Sequence, residues 1–178
     1  MTVWIALLGS VNVGGRRIVM TELKALAVDL GFDNPRTLLA SGNLVFSASG
    51  TADEVAARLE TALAERFGFK CPVMLRSAAD WDAVIAANPF PDKARDDPGH
   101  LIVTAFKSPV PAEAVERLRA VITGPEIVEG RGRELYFVYP EGMGRSALTP
   151  ALVDRALRVR GTGRNWNTTL KLGALAAA

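Results

Sequence analysis

The sequence has few of the residues from which metal centres and many catalytic sites are built. It contains one cysteine, Cys71, and one histidine, His100, among its 178 residues. A single cysteine excludes an internal disulfide and a cysteine-based zinc site, and a metal at His100 would need other ligands. Because Cys71 lies in a short apolar run, we expect a buried thiol rather than a nucleophile. The sequence therefore predicts no metal site and assigns no catalytic residue.

Strong charge of one sign and long apolar runs are also missing. The 21 basic and 19 acidic residues give a formal charge of +2, and no basic run marks an arm that binds nucleic acid. The apolar stretches are well short of the ~20 residues that cross a bilayer. The first residues lack the basic start and cleavage pattern of a signal peptide. We therefore expect a cytoplasmic protein with no membrane partner, and we do not expect nucleic acid as its ligand.

Strand and helix patterns do alternate regularly over residues 1–76. Residues 3–8 form a continuous apolar run, typical of a strand buried on both faces, and helical stripes follow at residues 23–30 and 55–67. Residues 37–40 and 44–46 are predicted strands on either side of the hairpin signal Ser41-Gly42-Asn43. With a further strand at residues 72–75, the order is β-α-β-β-α-β, a ferredoxin-like unit.

The second half begins with the same pattern. Residues 101–106 predict a strand, residues 115–122 a helix, and two apolar runs enclose a hairpin at residues 130–133. Thr149-Pro150 opens another helix, with threonine as cap and proline at the first helical position. No clear fourth strand follows, so this half is predicted to be related to the first but incomplete. We therefore predict an α+β fold with a ferredoxin-like subdomain at 1–76, a connecting helix and polar linker at 77–99, and a second α+β subdomain at 100–178.

Three loops rich in glycine and arginine are candidate binding segments: residues 12–17, 142–146 and 161–168. Glycines let backbone N–H groups approach a ligand, and arginine offers a planar fork for carboxylate or phosphate. None of the loops has the spacing of a P-loop or of a dinucleotide fingerprint. The alternative interpretation is ordinary turn chemistry, and for Trp166 it is a place in the core.

Several motifs resemble the DUF1697 family, a family of small bacterial α+β proteins. The resemblance depends on Asn12-Val13-Gly14-Gly15, on Ser41-Gly42-Asn43-Leu44-Val45-Phe46, on Gly144-Arg145-Ser146 and on Arg164-Asn165-Trp166-Asn167-Thr168 with Lys171. It implies an α+β fold with ferredoxin-like features and no established activity. The chain departs from the family pattern at Gly9-Ser10 and at Ala147, where family members more often carry basic residues.

Together these features suggest the hypothesis that the loops converge on one small ligand, anionic or nucleotide-like. The candidate ligand-binding residues are Asn12, Gly14, Gly15, Ser41, Asn43, Arg145, Ser146, Arg164, Asn165, Trp166, Asn167 and Lys171. Two alternatives stay open. One is a hydrolase or transferase that uses the same pocket, with Ser146 or Ser41 in the chemistry. The other is a structural or partner-binding protein in which residues 164–168 cap the last helix. The sequence indicates no cofactor and no oligomeric state.

Overall fold

The computed structural model describes residues 1–178, and their packing divides into two units. The first unit holds Met1–Ala83 together with Lys171–Ala178, and the second holds Val84–Leu170. Each unit contains one four-stranded antiparallel sheet. The α+β class and the organisation in two halves are therefore confirmed, while the finer subdomain boundaries stay a prediction. No helix has both the length and the apolar character that a bilayer span requires.

The first sheet has the strand order β2-β3-β1-β4. Its strands are β1 Thr2–Leu8, β2 Asp33–Thr37, β3 Asn43–Ala48 and β4 Val73–Ser77. Helices α1 Met20–Asp29 and α2 Ala52–Phe67 lie between them in the chain. The element order β-α-β-β-α-β predicted from the sequence is thus confirmed for this half.

One strand was predicted in the wrong place. Residues 38–42 form a loop in which Leu39 has a φ of 60°, and the strand lies earlier, at Asp33–Thr37. That strand contains Asn34 and Pro35 and has an irregular register against β3. Proline is tolerated there because β2 is at the edge of the sheet. An apolar pattern could not reveal such a strand.

Local signals fix the ends of α2 as the sequence predicts. Glu54 N–H donates to Thr51 Oγ1 at 3.2 Å, and Thr51 N–H donates to the Glu54 carboxylate at 2.8 Å. This capping box satisfies two of the free donors at the start of the helix. Gly68 ends the helix in the left-handed region, with a φ of 80°. Cys71 is buried nearby in the same unit, as expected.

The second sheet has the order β6-β7-β5-β8. Its strands are β5 Leu101–Ala105, β6 Ile127–Arg131, β7 Glu134–Val138 and β8 Thr162–Asn165. The helices that follow in the chain are α3 Ala78–Ala86, α4 Pro91–Asp96, α5 Ala112–Ala120, α6 Pro150–Leu157 and α7 Trp166–Ala177. Helix α3 begins in the first unit and ends in the second, and α7 runs from the second unit into the first.

The prediction that the second half is incomplete was wrong. Strand β8 pairs antiparallel with β5, from Ile102 opposite Asn165 to Ala105 opposite Thr162. Its four residues, Thr-Gly-Arg-Asn, contain no apolar side chain. A short edge strand needs one paired neighbour and little apolar surface, so hydrophobic alternation does not detect it.

Both faces of the second sheet are covered. On one face, Leu101, Val103, Tyr136 and Val138 pack with Val84 and Trp166. On the other, Ile102, Phe106, Phe137 and Tyr139 pack with residues of α5 and α6. Burial on two sides explains why residues 101–106 and 135–139 appear as continuous apolar runs rather than as alternating ones. The second of these faces, which we call the α6 face, carries the candidate site.

Candidate functional site

Residues 161–168, the most unusual segment of the sequence, form the edge strand β8 and the first turn of α7. Asn165 precedes the helix, and its side-chain Oδ1 accepts a hydrogen bond from Thr168 N–H at 2.9 Å. The Thr169 hydroxyl donates to the Asn165 carbonyl at 3.0 Å. Asparagine is among the best residues for an N-cap. The polar composition of this segment is therefore explained in part by a strand end and a helix cap.

The remaining candidates of this segment face different surroundings. Trp166 is 5% exposed and belongs to the core cluster with Val84, Leu101 and Tyr136. Its ring is a core anchor and offers little surface for stacking a ligand. Asn167 and Lys171 are exposed. The segment thus contributes its strand, rather than its tryptophan, to any pocket.

The first loop is closed by the side chain of Asn12. Its amide donates to the Ala40 carbonyl at 2.5 Å and to the Ile18 carbonyl at 3.3 Å, and its Oδ1 accepts from Ile18 N–H at 3.1 Å. Gly14 and Gly15 have φ values of 57° and 83°, and a Cβ atom at either position would have no heavy atom within 4 Å. These glycines satisfy the backbone conformation of an exposed turn. Together with Arg16 and Arg17, the loop borders an open depression of about 560 Å³ in the first unit.

Ser41 and Asn43 are joined in the turn before β3. Asn43 is fully buried, and its amide donates to the Leu38 carbonyl at 2.7 Å and to Ser41 Oγ at 3.0 Å. These bonds hold the backbone that connects β2 to β3. Their geometry gives both residues a local structural role.

Ser146 is bonded to a carboxylate. Its hydroxyl donates to Glu126 Oε1 at 2.5 Å and accepts from Leu148 N–H at 3.0 Å. The second oxygen of that carboxylate, Oε2, is buried without a hydrogen-bond partner. The pair ties the loop after β7 to the residue that precedes β6. Arg145, in the short 3-10 helix Met143–Arg145 of this loop, is exposed.

A cavity of about 430 Å³ opens on the α6 face of the second sheet. Its walls are strands β5, β7 and β8 on one side and helix α6 with the 3-10 helix on the other. Most lining side chains are apolar or aromatic, and the polar residues are Thr104, Tyr139, Asp154, Arg164 and Asn165. The lining residues are Gly99, Ile102, Thr104, Phe106, Phe137, Tyr139, Met143, Pro150, Val153, Asp154, Gly161, Gly163, Arg164 and Asn165.

Two glycines keep the cavity open at β8. A Cβ at Gly161 would lie 2.6 Å from Phe106 Cε1 and 2.7 Å from Thr104 Cγ2. A Cβ at Gly163 would lie 3.1 Å from both Ile102 Cγ2 and Thr104 Oγ1. Neither glycine has a positive φ, so the reason for glycine here is space rather than backbone conformation. Side chains at these positions would fill the sheet side of the cavity.

The charged group that faces the cavity is Asp154 of α6. Burial raises the pKa of its carboxyl, although the nearby charge of Arg160 opposes the shift. Asp154 forms an ion pair with Arg160 at 3.3 Å. Tyr139, also in the lining, stays neutral because burial, and after it the charge of Glu126, raises its pKa to about 12.

Arg164 contributes to the lining from the opposite side of the strand. Residues paired across an antiparallel ladder present their side chains on the same face. Arg164 is paired with Val103, which packs on the face away from α6, whereas Gly163 is paired with Thr104. Its guanidinium donates to the Gly163 carbonyl at 2.8 Å. We therefore assign the contact of Arg164 with the cavity to its backbone.

A comparison with protein families shows which family the chain belongs to. A family model described as "Protein of unknown function (DUF1697)" matches residues 1–136. The chain belongs to the DUF1697 family. The match confirms the resemblance seen in the opening motifs, while the motifs from residue 142 onward lie beyond the matched range.

Comparison with solved structures extends the likeness of this DUF1697 protein to its whole length. The conserved bacterial protein SP0830 from Streptococcus pneumoniae superposes with a TM-score of 0.80 and 22% identity, over 100% of this chain and 99% of that one. At that identity the likeness shows a shared fold. No curated protein matches the sequence.

Of the candidate residues predicted for the DUF1697 protein, Arg164 and Asn165 line the cavity. Asn12 and Gly15 border the separate depression of the first unit. Sequence reasoning missed the aromatic floor and Asp154, and it assigned the glycines of residues 161–168 to backbone hydrogen bonding rather than to open space. Two signals were available in retrospect: the alternation of Phe137 and Tyr139, and a Gly-x-Gly spacing that places both glycines on one face of a strand.

Proposed function

We propose that this DUF1697 protein binds a small molecule with a flat ring in the cavity of its second unit. The observation that carries the proposal is an aromatic cavity whose sheet side is kept open by Gly161 and Gly163. Ligand sites are typically clefts of roughly 300–1,000 Å³ with apolar walls and a few placed polar groups. The cavity matches that description in size and in lining.

The shape of the lining favours a ring over a flexible chain. Phe137 and Tyr139 are stacked side by side, with ring centroids 5.8 Å apart and planes inclined by 22°. Both rings are largely buried, at 2% and 3% exposure, and they form the apolar floor on which a planar ligand would lie. Thr104 and Asn165 supply hydrogen-bonding groups beside it.

The proposal retains one part of the sequence-based hypothesis and revises the other. A nucleobase-like ring fits the aromatic lining, whereas an anionic group would meet Asp154. In the second unit, Arg145 is exposed outside the cavity lining and Arg160 is already paired with a carboxylate, so neither offers a free positive charge to the cavity. We therefore propose a ring compound, rather than a phosphate, as the ligand of this cavity.

A structural or partner-binding role is the second candidate function. It is supported by Asn12, Asn43, Ser146 and Asn165, since each uses its side chain in hydrogen bonds that hold a loop or cap a helix. Ser146 and Glu126 lie outside the cavity lining, so their hydrogen bond serves the loop after β7 rather than chemistry on a ligand in the cavity.

The proposal is tested by adding a panel of ring compounds (adenine, indole and benzamide) to the labelled protein and following its amide resonances. We expect shifts centred on Thr104, Phe137 and Asn165 with at least one compound. The variant Thr104→Leu, which extends a side chain into the cavity, should abolish them. Thr123→Leu makes the same change at an exposed position of the same unit and should leave them intact. An absence of shifts, or shifts that survive in Thr104→Leu, would favour the structural role.

A further inference from the structure

We propose that the cavity recognises a cationic aromatic ligand, in which an amine or amidine group displaces Arg160 and pairs with Asp154. This inference rests on the proposed function and adds the chemical class of the ligand. It rests on the position of Asp154 at the cavity, on the weakness of its present partner, and on the aromatic surface beside it.

The ion pair that occupies Asp154 is easily replaced. Arg160 approaches through Nε, at 3.3 Å, and its side chain is 65% exposed. Such exposed pairs contribute little net stability, because solvent screens the charges and ordering a long side chain costs entropy. Arg160 lies in the loop between α6 and β8, directly before the cavity residue Gly161. It can return to solvent without disturbing a strand or a helix.

Asp154 has more to gain from a ligand than from Arg160. One third of the Asp154 side chain is exposed, and the burial that raises the pKa of its carboxyl is only partly compensated by Arg160. A cation held inside the cavity would be shielded from water, and a pair shielded from water is stronger than an exposed one. An amidine would add two parallel hydrogen bonds to the same carboxylate.

The aromatic residues give the cavity an apolar floor. Phe106, Phe137 and Tyr139 line it but are only 1%, 2% and 3% exposed, so the charge preference comes from Asp154. An anionic head group would meet the Asp154 carboxylate, and it would have to pull Arg160 away from its partner. Both features thus disfavour an anion and favour a cation.

Three isosteric probes separate charge from ring shape: benzamidine is cationic, benzamide is neutral and benzoate is anionic. Their dissociation constants are measured by titration calorimetry at neutral pH, with amide shifts reporting the place of binding. We expect benzamidine to bind about tenfold or more tightly than benzamide, with benzoate weakest. Asp154→Asn should remove the preference, and Arg160→Gln should tighten benzamidine binding because the competing cation is gone.

Two substitutions remove the same charges at exposed positions of this unit, Glu113→Gln for the carboxylate and Arg95→Gln for the guanidinium. Both should leave the order of affinities unchanged. Equal affinities for the three probes, or tightest binding of benzoate, would overturn the cationic assignment while the proposed ring site stands. If none of the three probes binds but adenine or indole binds in the cavity, the cationic assignment is also overturned and the proposed ring site stands. If no ring compound binds there at all, the proposed function fails with it.

Discussion

Three asparagines that the sequence marks as candidate ligand contacts each hold a loop through the side chain. Asn12 closes the loop before α1, Asn43 fixes the turn before β3, and Asn165 caps α7. Asn12 also adopts a φ of 59°, which asparagine tolerates better than most residues. The short amide competes well for backbone groups. Composition alone therefore cannot separate an asparagine that binds a ligand from one that shapes the chain.

At this scale, the cap of α7 gives a direct prediction. Asn165→Ala removes the acceptor of Thr168 N–H and should lower the free energy of unfolding by about 1 kcal/mol. Asn165→Asp, which keeps a side-chain acceptor, should recover most of the loss. Urea denaturation measures both. Asn167→Ala is the matched control, because Asn167 is exposed two residues further on. Equal losses at the two positions would show that the hydrogen bond to Thr168 is not the stabilising feature.

Strand β8 completes the second sheet and also forms one wall of the cavity. The strand is short and polar, and its pairing with β5 gives the second unit its fourth strand. Glycine normally weakens a strand because it adds no packing surface. In β8 and just before it, glycine is required because Phe106, Thr104 and Ile102 approach too closely for a Cβ atom. The glycines thus reduce side-chain packing at β8 but leave space beside the sheet for the cavity.

This close approach predicts a large difference between two glycine substitutions. Gly161→Ala would place a methyl group 2.6 Å from Phe106 Cε1, inside the core, and should cost roughly 1–3 kcal/mol of stability. Gly144→Ala, in the exposed 3-10 helix, meets no atom within 4 Å and should change stability little. Thermal or urea unfolding of the two variants distinguishes them. A neutral Gly161→Ala would mean that β8 can move away from the sheet without cost.

For the whole molecule, the two units share one element order, β-α-β-β-α-β, and one strand order within the sheet. The first unit also includes residues from the end of α7. There Arg36 of β2 donates to the Leu175 carbonyl at 2.6 Å. An arginine bonded to the last carbonyls of a helix satisfies groups that have no partner within the helix.

Stability at high pH is a property of the whole molecule that two residues should dominate. The chain contains two tyrosines, and burial raises the pKa of both to about 12, with the charges of Glu134 and Glu126 as further causes. Below pH 10 both are protonated in the folded and unfolded chains, so they add no pH dependence. Between about pH 10 and 12 the unfolded chain releases their protons first. Stability should therefore fall over that window.

Absorbance near 295 nm measures tyrosine ionisation as a function of pH, and urea unfolding measures the free energy of unfolding over the same range. The folded protein should show little tyrosine ionisation at pH 10, and ionisation should coincide with loss of structure. Tyr136→Phe should reduce the slope of stability against pH, although it also removes the hydrogen bond to the Val84 carbonyl. Tyrosines that ionise freely at pH 10 in the folded state would contradict the prediction.

Much of the fold follows from local patterns in the sequence. Continuous apolar runs predict β1, β5 and β7, because strands covered on both faces need apolar side chains at every position. The capping box at Thr51 and Glu54 and the Thr149-Pro150 pair mark helix starts, because the donors at a helix start need nearby acceptors. The apolar patterns did not predict the edge strands β2 and β8, since a strand with one paired neighbour can be polar or contain proline.

The sequence by itself determined the α+β class, the element order of the first half, the ends of α2, the start of α6 and the membership of the DUF1697 family, because these depend on residues close together in the chain. The tertiary structure alone decided that the second sheet has a fourth strand and that Gly161 and Gly163 lie opposite Thr104, Ile102 and Phe106. It also placed Asp154 beside aromatic rings. A cavity depends on which side chains from distant segments come into contact and on the space that glycines leave between them. A local sequence pattern predicts neither of these.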